Sequence, residues 1–283
     1  MEFCGGCDNG ANQKTYRIIG ADLVKKTGSN FEKIQQLLQN GEIEFAFSED
    51  GAGDFVGGFH GDEIMGFAEL TADGKTVDLS KECDLQTCKR LIFETKTKMF
   101  RCNSDTTETP SQWVNNHTLK YTITSKDGIC LEQALQWKVS DLKIRKAMAC
   151  MFTIYRCTDK NERITDVLEY HKWNGDIYDV IDVSNDGPKE NYNEYCSYSG
   201  PSYVNIYGKD SGIFAQVGYK TVKGIKDELC NHCWIRPYGD NKPYFSVNEG
   251  TTVKEDEEWQ WINYYKIDYT KKDAENAFVA ELI

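Results

Sequence analysis

Residues 119–139 hold the clearest pattern in the chain. Leu119, Tyr121 and Ile123 alternate with Lys120, Thr122 and Thr124; Lys126-Asp127-Gly128 interrupts; then Ile129, Leu131, Leu135, Trp137 and Val139 keep one parity, with Gln133 the exception. A period of two places successive side chains on opposite faces of a half-buried strand, and a turn signal between two such runs makes a hairpin with one face in the core.

The same period recurs along the chain. Ile43, Phe45 and Phe47 alternate with Glu42, Glu44 and Ser48; Leu91, Phe93, Thr95 and Thr97 alternate with Ile92, Glu94, Lys96 and Lys98; Asp73-Gly74 joins two further runs. With strands predicted over 149–156, 164–172, 177–183, 203–207, 213–222, 244–247 and 259–269, there are on the order of a dozen at the spacing of a sandwich. Strand–helix–strand alternation is missing, which argues against a doubly wound fold. The expected class is all-β: an antiparallel β-sandwich or jelly roll with one short peripheral helix. That helix is predicted where Ser29-Asn30-Phe31-Glu32 reads as a capping box and Phe31, Ile34, Leu37 and Leu38 share a helical face before Asn40-Gly41. Residues 141–148 read as a helical turn or bend. Residues 1–14 read as a loose lead-in and 15–283 as one domain. Residues 184–201, with Tyr192, Tyr195 and Tyr198 spaced by three, read as a long loop of the kind that often carries function.

Charge narrows the partners. Acidic residues number 45 against 33 basic, a formal −12, which repels phosphate backbones and anionic bilayers, so neither nucleic acid nor membrane is the expected partner. No run approaches the roughly 18 apolar residues of a transmembrane helix. Glu2-Phe3-Cys4-Gly5-Gly6-Cys7 has neither the basic nor the apolar region of a secretory signal, which leaves synthesis in the cytoplasm, with retention or another exit, or a trimmed leader.

Of the eleven cysteines, Cys102, Cys130, Cys150, Cys157 and Cys196 stand alone in strand-like text and read as buried thiols, and the odd count leaves at least one unpaired within the chain. Cys4/Cys7 and Cys230/Cys233 have zinc-ribbon gaps, with His232 inside the second, but they lie at opposite ends of the sequence, against a shared zinc. Asp179, Asp182 and Asp186 would admit calcium at a loop edge, without EF-hand spacing. No metal or cofactor is expected. P-loop, dinucleotide, nucleophile-elbow and His-Glu-x-x-His motifs are missing from the sequence.

The densest chemistry lies in Gly57-Gly58-Phe59-His60-Gly61-Asp62-Glu63. On a strand, His60 and Asp62 share a face, so the carboxylate can orient the imidazole, whereas Glu63 joins them only if the glycines bend the strand at a bulge. The catalytic reading takes His60 as acid or base with Asp62 or Glu63; the plainer one is a hydrogen-bonded turn. His117, Tyr170 and His171 are further candidates, each more ordinary as a sheet-face residue. Six Trp and 16 Tyr in so charged a chain point to carbohydrate, because sugar rings stack on aromatic faces. Trp113, Trp173, Trp259, Trp261 and Tyr195 are the candidates for ligand contact, against core packing as the alternative.

The Phe59-His60-Gly61-Asp62-Glu63 stretch, the Asp73-Gly74 hairpin and Ala149-Cys150-Met151-Phe152 after the Trp137 strand resemble domains of bacteriophage tail proteins and polysaccharide-acting β-sandwiches, over residues 43–183. The resemblance implies a glycan-facing jelly roll, assembly on a virion or as an oligomer, and no particular reaction. The leading expectation is polysaccharide recognition by a tail-associated or receptor-binding module. Its rivals are a polysaccharide lyase with His60 or Tyr170 as base, a glycosidase with two carboxyls about 5–10 Å apart, and a structural oligomer component without ligand.

Overall fold

A computed structural model describes residues 2–8, 14–28, 30–39, 43–80, 88–104, 107–109, 111–124, 126–158, 160, 162–185, 192–236, 240–269 and 278–279. Among them run strands β1 (Glu2–Asp8), β2 (Lys14–Thr27), β3 (Asn30–Gln39), β4 (Ala46–Glu49), β5 (Glu63–Ala72), β6 (Lys75–Val77), β7 (Arg90–Phe100), β8 (Trp113–Thr124), β9 (Gly128–Trp137) and β10 (Ile144–Met151). The second half adds β11 (Ile154–Tyr155), β12 (Val167–Lys172), β13 (Ile177–Asp182), β14 (Tyr192–Ser199), β15 (Ser202–Tyr207), β16 (Ile213–Lys223), β17 (Asn231–Arg236), β18 (Asp240–Asn241), β19 (Pro243–Ser246), β20 (Glu258–Tyr269) and β21 (Phe278–Val279).

The fold is all-β and its pairings are antiparallel. A ten-stranded sheet runs β13-β12-β15-β16-β20-β9-β8-β7-β5-β6, and a five-stranded sheet runs β14-β17-β19-β10-β4. These sheets exceed the eight strands of a jelly roll. The expected β8–β9 hairpin forms, with Leu119 opposite Gln133 and Ile123 opposite Ile129.

The two sheets pack face to face on aromatic side chains. Phe45 meets Trp261 with ring centroids 5.2 Å apart, Phe47 meets Trp137 at 5.4 Å and Tyr219 meets Phe245 at 5.3 Å, while Trp137 and Trp259 meet at 5.0 Å on neighbouring strands of the larger sheet. Trp137, Trp259 and Trp261 are all fully buried, so half of the chain's six tryptophans are core.

A β-bulge ties the sheets together. β10 pairs with β19 through Met148–Ser246 and Cys150–Phe245, which leaves Ala149 as the extra residue. Its carbonyl accepts Trp261 Nε1–H at 2.8 Å, Asn263 Nδ2–H at 2.8 Å and Gln133 Nε2–H at 3.4 Å, all from the larger sheet. Gln133 breaks the apolar parity of β9 because it is needed for this link.

Four local expectations are corrected. The predicted helix is strand β3, and residues 30–39 pair along β2. Its register skips Ile34, between Leu23–Gln35 and Val24–Lys33, and Leu37, between Ala21–Leu38 and Asp22–Gln36. Two bulges three residues apart put Leu37 and Leu38 both in the core and imitate helical spacing. Residues 2–8 of the expected lead-in form β1, paired with β2. Residues 144–148 of the supposed bend belong to β10, an interior strand. Residues 192–199 of the supposed loop form β14; it is polar because it lies at an edge of its sheet.

Candidate functional site

The glycine-rich stretch makes a turn where a strand was expected. Gly57, Gly58 and Gly61 have φ of 91°, 51° and 93°, and residues Gly58–His60 form one 3-10 turn, with His60 N–H donating to Gly57 O at 3.0 Å. Strand parity therefore never places His60 beside Asp62. His60 Nδ1 lies 3.7 Å from Asp54 and its ring packs on Phe55 at 5.1 Å, while Asp62 accepts the Asn103 N–H at 2.8 Å. Burial pushes the Asp62 carboxyl up, offset in part by that N–H. A Cβ on Gly57 would strike Met99 Cε and come within 2.8 Å of Phe45 O. Gly57→Ala is expected to cost more than about 1 kcal/mol, read as a lower urea midpoint; an unchanged midpoint would show that the turn relaxes freely.

The turn serves Glu63, the first residue of β5. Gly58 N–H donates to Glu63 Oε2 at 3.0 Å, and Thr97 Oγ1–H donates to Oε1. His117 Nδ1 lies 3.1 Å from the same Oε1, and its Nε2 lies 3.1 Å from Gln133 Oε1. That amide oxygen also accepts Phe45 N–H at 3.2 Å, which fixes the orientation of Gln133. Both imidazole nitrogens thus face oxygen acceptors, the pattern of an imidazolium beside a carboxylate. Burial pushes the Glu63 carboxyl up, but the hydrogen bond and charge of His117, with Thr97 and Gly58, outweigh it and hold the group below its ordinary value. Glu63 is 4% and His117 1% exposed, so this ion pair is a core element closed to substrate.

The outer face of the ten-stranded sheet is different. His171, Tyr203, Gly218 and Tyr264 lie directly opposite one another on β12, β15, β16 and β20, forming one row across four strands. A side chain at Gly218 would run into Tyr203; without one, Trp173 folds over the gap. Its indole sits 5.1 Å from Tyr203 and 5.7 Å from Tyr264, and its N–H donates to Tyr219 O at 2.8 Å. Lys220 Nζ lies 4.3 Å from the Trp173 ring centroid. Trp173 remains 36% exposed.

The next row over is polar: Glu169, Asn205, Gln216 and Lys266. Gln216 Nε2–H donates to Asn205 Oδ1 at 2.8 Å, which turns the Asn205 amide nitrogen to His171 Nε2 at 3.2 Å. His171 Nε2 is therefore an acceptor, and Nδ1–H donates to Gly175 O at 3.3 Å. Tyr207 O–H donates to Glu169 at 2.6 Å, and burial with that carboxylate pushes the phenol up to about 12. Burial also raises Tyr264, which keeps it a neutral donor. Among the described residues, no hydrogen bond engages the hydroxyls of Tyr203 or Tyr264.

The remaining candidates fall elsewhere. Tyr170, one residue from His171 on β12, points inward against Phe245 and is 1% exposed, so it cannot reach a substrate. Trp259 and Trp261 face the core for the same reason of parity. Trp113 is half-buried, donates to Asn115 O at 3.0 Å and carries Lys98 over its ring at 4.9 Å. Tyr195 has its backbone on β14 opposite Cys233, but both side chains lie outside the described residues, as does Asp186. Asp182 is held by Lys209 at 2.7 Å and by Ser184, which take its carboxyl down to about 2. Burial pushes the Cys230 thiol up to about 12, and the Cys233 side chain lies outside the described residues. Among the described residues, no cluster of three His, Cys, Asp or Glu could hold a metal ion. Among the described residues, no helix is long and apolar enough to cross a membrane.

A 610 Å³ cleft lined by Arg163, Asp166, Lys209 and neighbours is polar, but its charges are engaged: Lys209 with Asp182, and Arg163 with Val183 O at 2.7 Å. The histidines do not gather in one cleft either. His60 is at the glycine turn, His117 in the core and His171 on the outer face, while His232 is buried beside Ser202.

No protein-family model matches the chain, and no curated protein sequence matches it. Among solved structures, the chain is similar to the Slr1438 protein from Synechocystis sp. PCC 6803, with a TM-score of 0.37 and 13% identity over 72% of this chain and 73% of that one. It is also similar to HI1317, with a TM-score of 0.33 and 9% identity over 62% and 61% of the two chains. Likeness of this degree leaves the chemistry to be read from the residues themselves.

Tyr203, Tyr264, Asn205, Gln216 and Lys220 were missed by sequence reasoning. The signal was present in Ser202-Tyr203-Val204-Asn205-Ile206-Tyr207, where Tyr and Asn occupy the parity opposite Val and Ile. Which face of each strand met the second sheet was not legible.

Proposed function

We propose that this protein binds carbohydrate on the outer face of its ten-stranded sheet, with Trp173, Tyr203 and Tyr264 as the stacking platform and Asn205, Gln216 and Glu169 as the polar row beside it. The observation that carries this reading is the registered pairing of an aromatic row with an amide and carboxylate row. Sugar rings present apolar faces to aromatic rings and hydroxyls to amides, and both are met side by side. Among the described residues nothing engages the hydroxyls of Tyr203 and Tyr264, which suit the same role.

Binding is favoured over turnover at this face. Both His171 nitrogens are hydrogen-bonded within the protein, to Asn205 and Gly175, and the Tyr207 hydroxyl is committed to Glu169. Trp173→Ala should weaken binding to glycans retained on an array by about tenfold, about 1.4 kcal/mol, with the melting temperature nearly kept. Unchanged affinity in that variant, or no glycan retained by the intact protein, would sink the reading.

A further inference from the structure

We infer that the saccharide taken by this face is acidic, a polysaccharide bearing carboxylates, and that Lys220 is its charge partner. This rests on the proposed platform and adds the class of ligand. Lys220 is exposed, at the edge of the aromatic row, with its ammonium over Trp173 at 4.3 Å and Tyr264 at 5.7 Å. Among the described residues, no carboxylate pairs with it. Lys266, in the polar row beside the platform, lies 3.7 Å from Asp268, and several exposed lysines, such as Lys143 and Lys209, are held by aspartates at 2.8 and 2.7 Å. Lys220 is thus the ammonium that the platform presents without a counter-ion.

The surrounding charges allow an anion there. Glu169, the carboxylate of the adjoining polar row, is engaged by Tyr207 and lies 3.5 Å from His171. In Lys220's own row, Ile262 intervenes before Glu132, so Glu132 sits two strand spacings away, about 10 Å. It is also directly opposite Lys120. The chain's overall −12 is spread over the whole surface, and exposed charges farther from Lys220 than the Debye length of about 8 Å at physiological salt are largely screened. Local geometry therefore decides the sign.

The position of Lys220 also suggests how a ligand would be taken. An exposed cation–π contact is weak, whereas a charge-assisted hydrogen bond to a carboxylate is stronger. A uronate carboxylate would draw the ammonium off the indole, and the uncovered face of Trp173 would become the stacking surface for the same sugar ring. No bond is made or broken.

The test uses polygalacturonate and alginate, each beside its carboxyl-reduced neutral counterpart, in affinity electrophoresis of the full chain. At least one acidic polymer is expected to bind tenfold or more tightly than its reduced form. Lys220→Gln should bring that ratio to within about twofold of one, and added salt should lower it in the native protein. Equal binding of acidic and reduced polymers, or a ratio that survives Lys220→Gln, overturns the acidic assignment and leaves the platform standing. Failure of every polymer, acidic or neutral, overturns the platform and this inference together.

Discussion

Glu63→Ala is expected to destabilise the protein by about 3–5 kcal/mol, the usual result of removing one partner from a buried ion pair. The His117 imidazolium would keep its Gln133 acceptor and lose its charge partner inside a core where it is 1% exposed. Gly58 N–H and Thr97 Oγ1 would lose their acceptor as well. The effect should appear as a fall in melting temperature of roughly 10 °C. A second variant separates charge from packing. Replacing both Glu63 and His117 with leucine removes the charges together, and such replacements are often neutral or stabilising, so most of the loss should be regained. A single variant within about 1 kcal/mol of the native protein, or a double variant as unstable as the single, would show that the pair is not the charged core element described. The pH dependence has a defined sign. Glu63 is held below its ordinary 4.5, so its contribution is present above that pH and is lost as pH falls through the folded value.

The strands were legible because alternation depends only on which face is buried. Leu119–Thr124 on β8 and Ile129–Trp137 on β9 could be paired by eye, since a hairpin turn sets the register locally. The failures share a cause. At residues 30–39, two bulges move Ile34 and Leu37 out of phase, and a strand with bulges three residues apart presents the spacing of a helix. Pairing along β2 then overrides the local capping signal. β1 and β14 were missed for a related reason: both lie at sheet edges, and edge strands carry little hydrophobic alternation of their own.

The site was legible by residue type but not by place. Glycine density at residues 57–61 correctly marked unusual backbone, and the direction of the turn decided the rest: it delivers Gly58 N–H to Glu63 and turns His60 toward Asp54. His117 and Glu63 were both singled out, and no local pattern could show that residues so far apart in sequence meet in the core. The aromatic surplus divides by parity. Trp137, Trp259 and Trp261 fill the space between the sheets, and Trp173 stays outside because it follows β12, beyond the reach of strand alternation.

Stability should also fall between pH 6.5 and pH 4 because of His232. This residue is 1% exposed, with Nε2 3.2 Å from Ser202 Oγ, its ring stacked on Tyr198 at 5.7 Å and edge-on to Phe245 at 5.0 Å. Burial pushes its pKa down to about 4, with only partial relief from the backbone at Gly200. An unfolded chain takes up this proton below about pH 6.5, whereas the folded chain does so only near pH 4. The unfolded state binds more protons throughout that window, so stability is whole above pH 6.5 and declines as pH falls. The loss is roughly 1.4 kcal/mol at pH 5.5 and approaches roughly 3 kcal/mol at pH 4, where it levels off for this group. Glu63 acts only below its ordinary 4.5, so it stays out of the interval from 6.5 to 5, and a His232 variant separates this residue from the other three histidines. Urea unfolding at pH 7.0 and 5.5 should show the decline in the native protein and lose most of it in His232→Phe, a change that keeps a ring between Tyr198 and Phe245. An NMR titration that found the His232 ring protonating near 6.5 would instead place the group in contact with water.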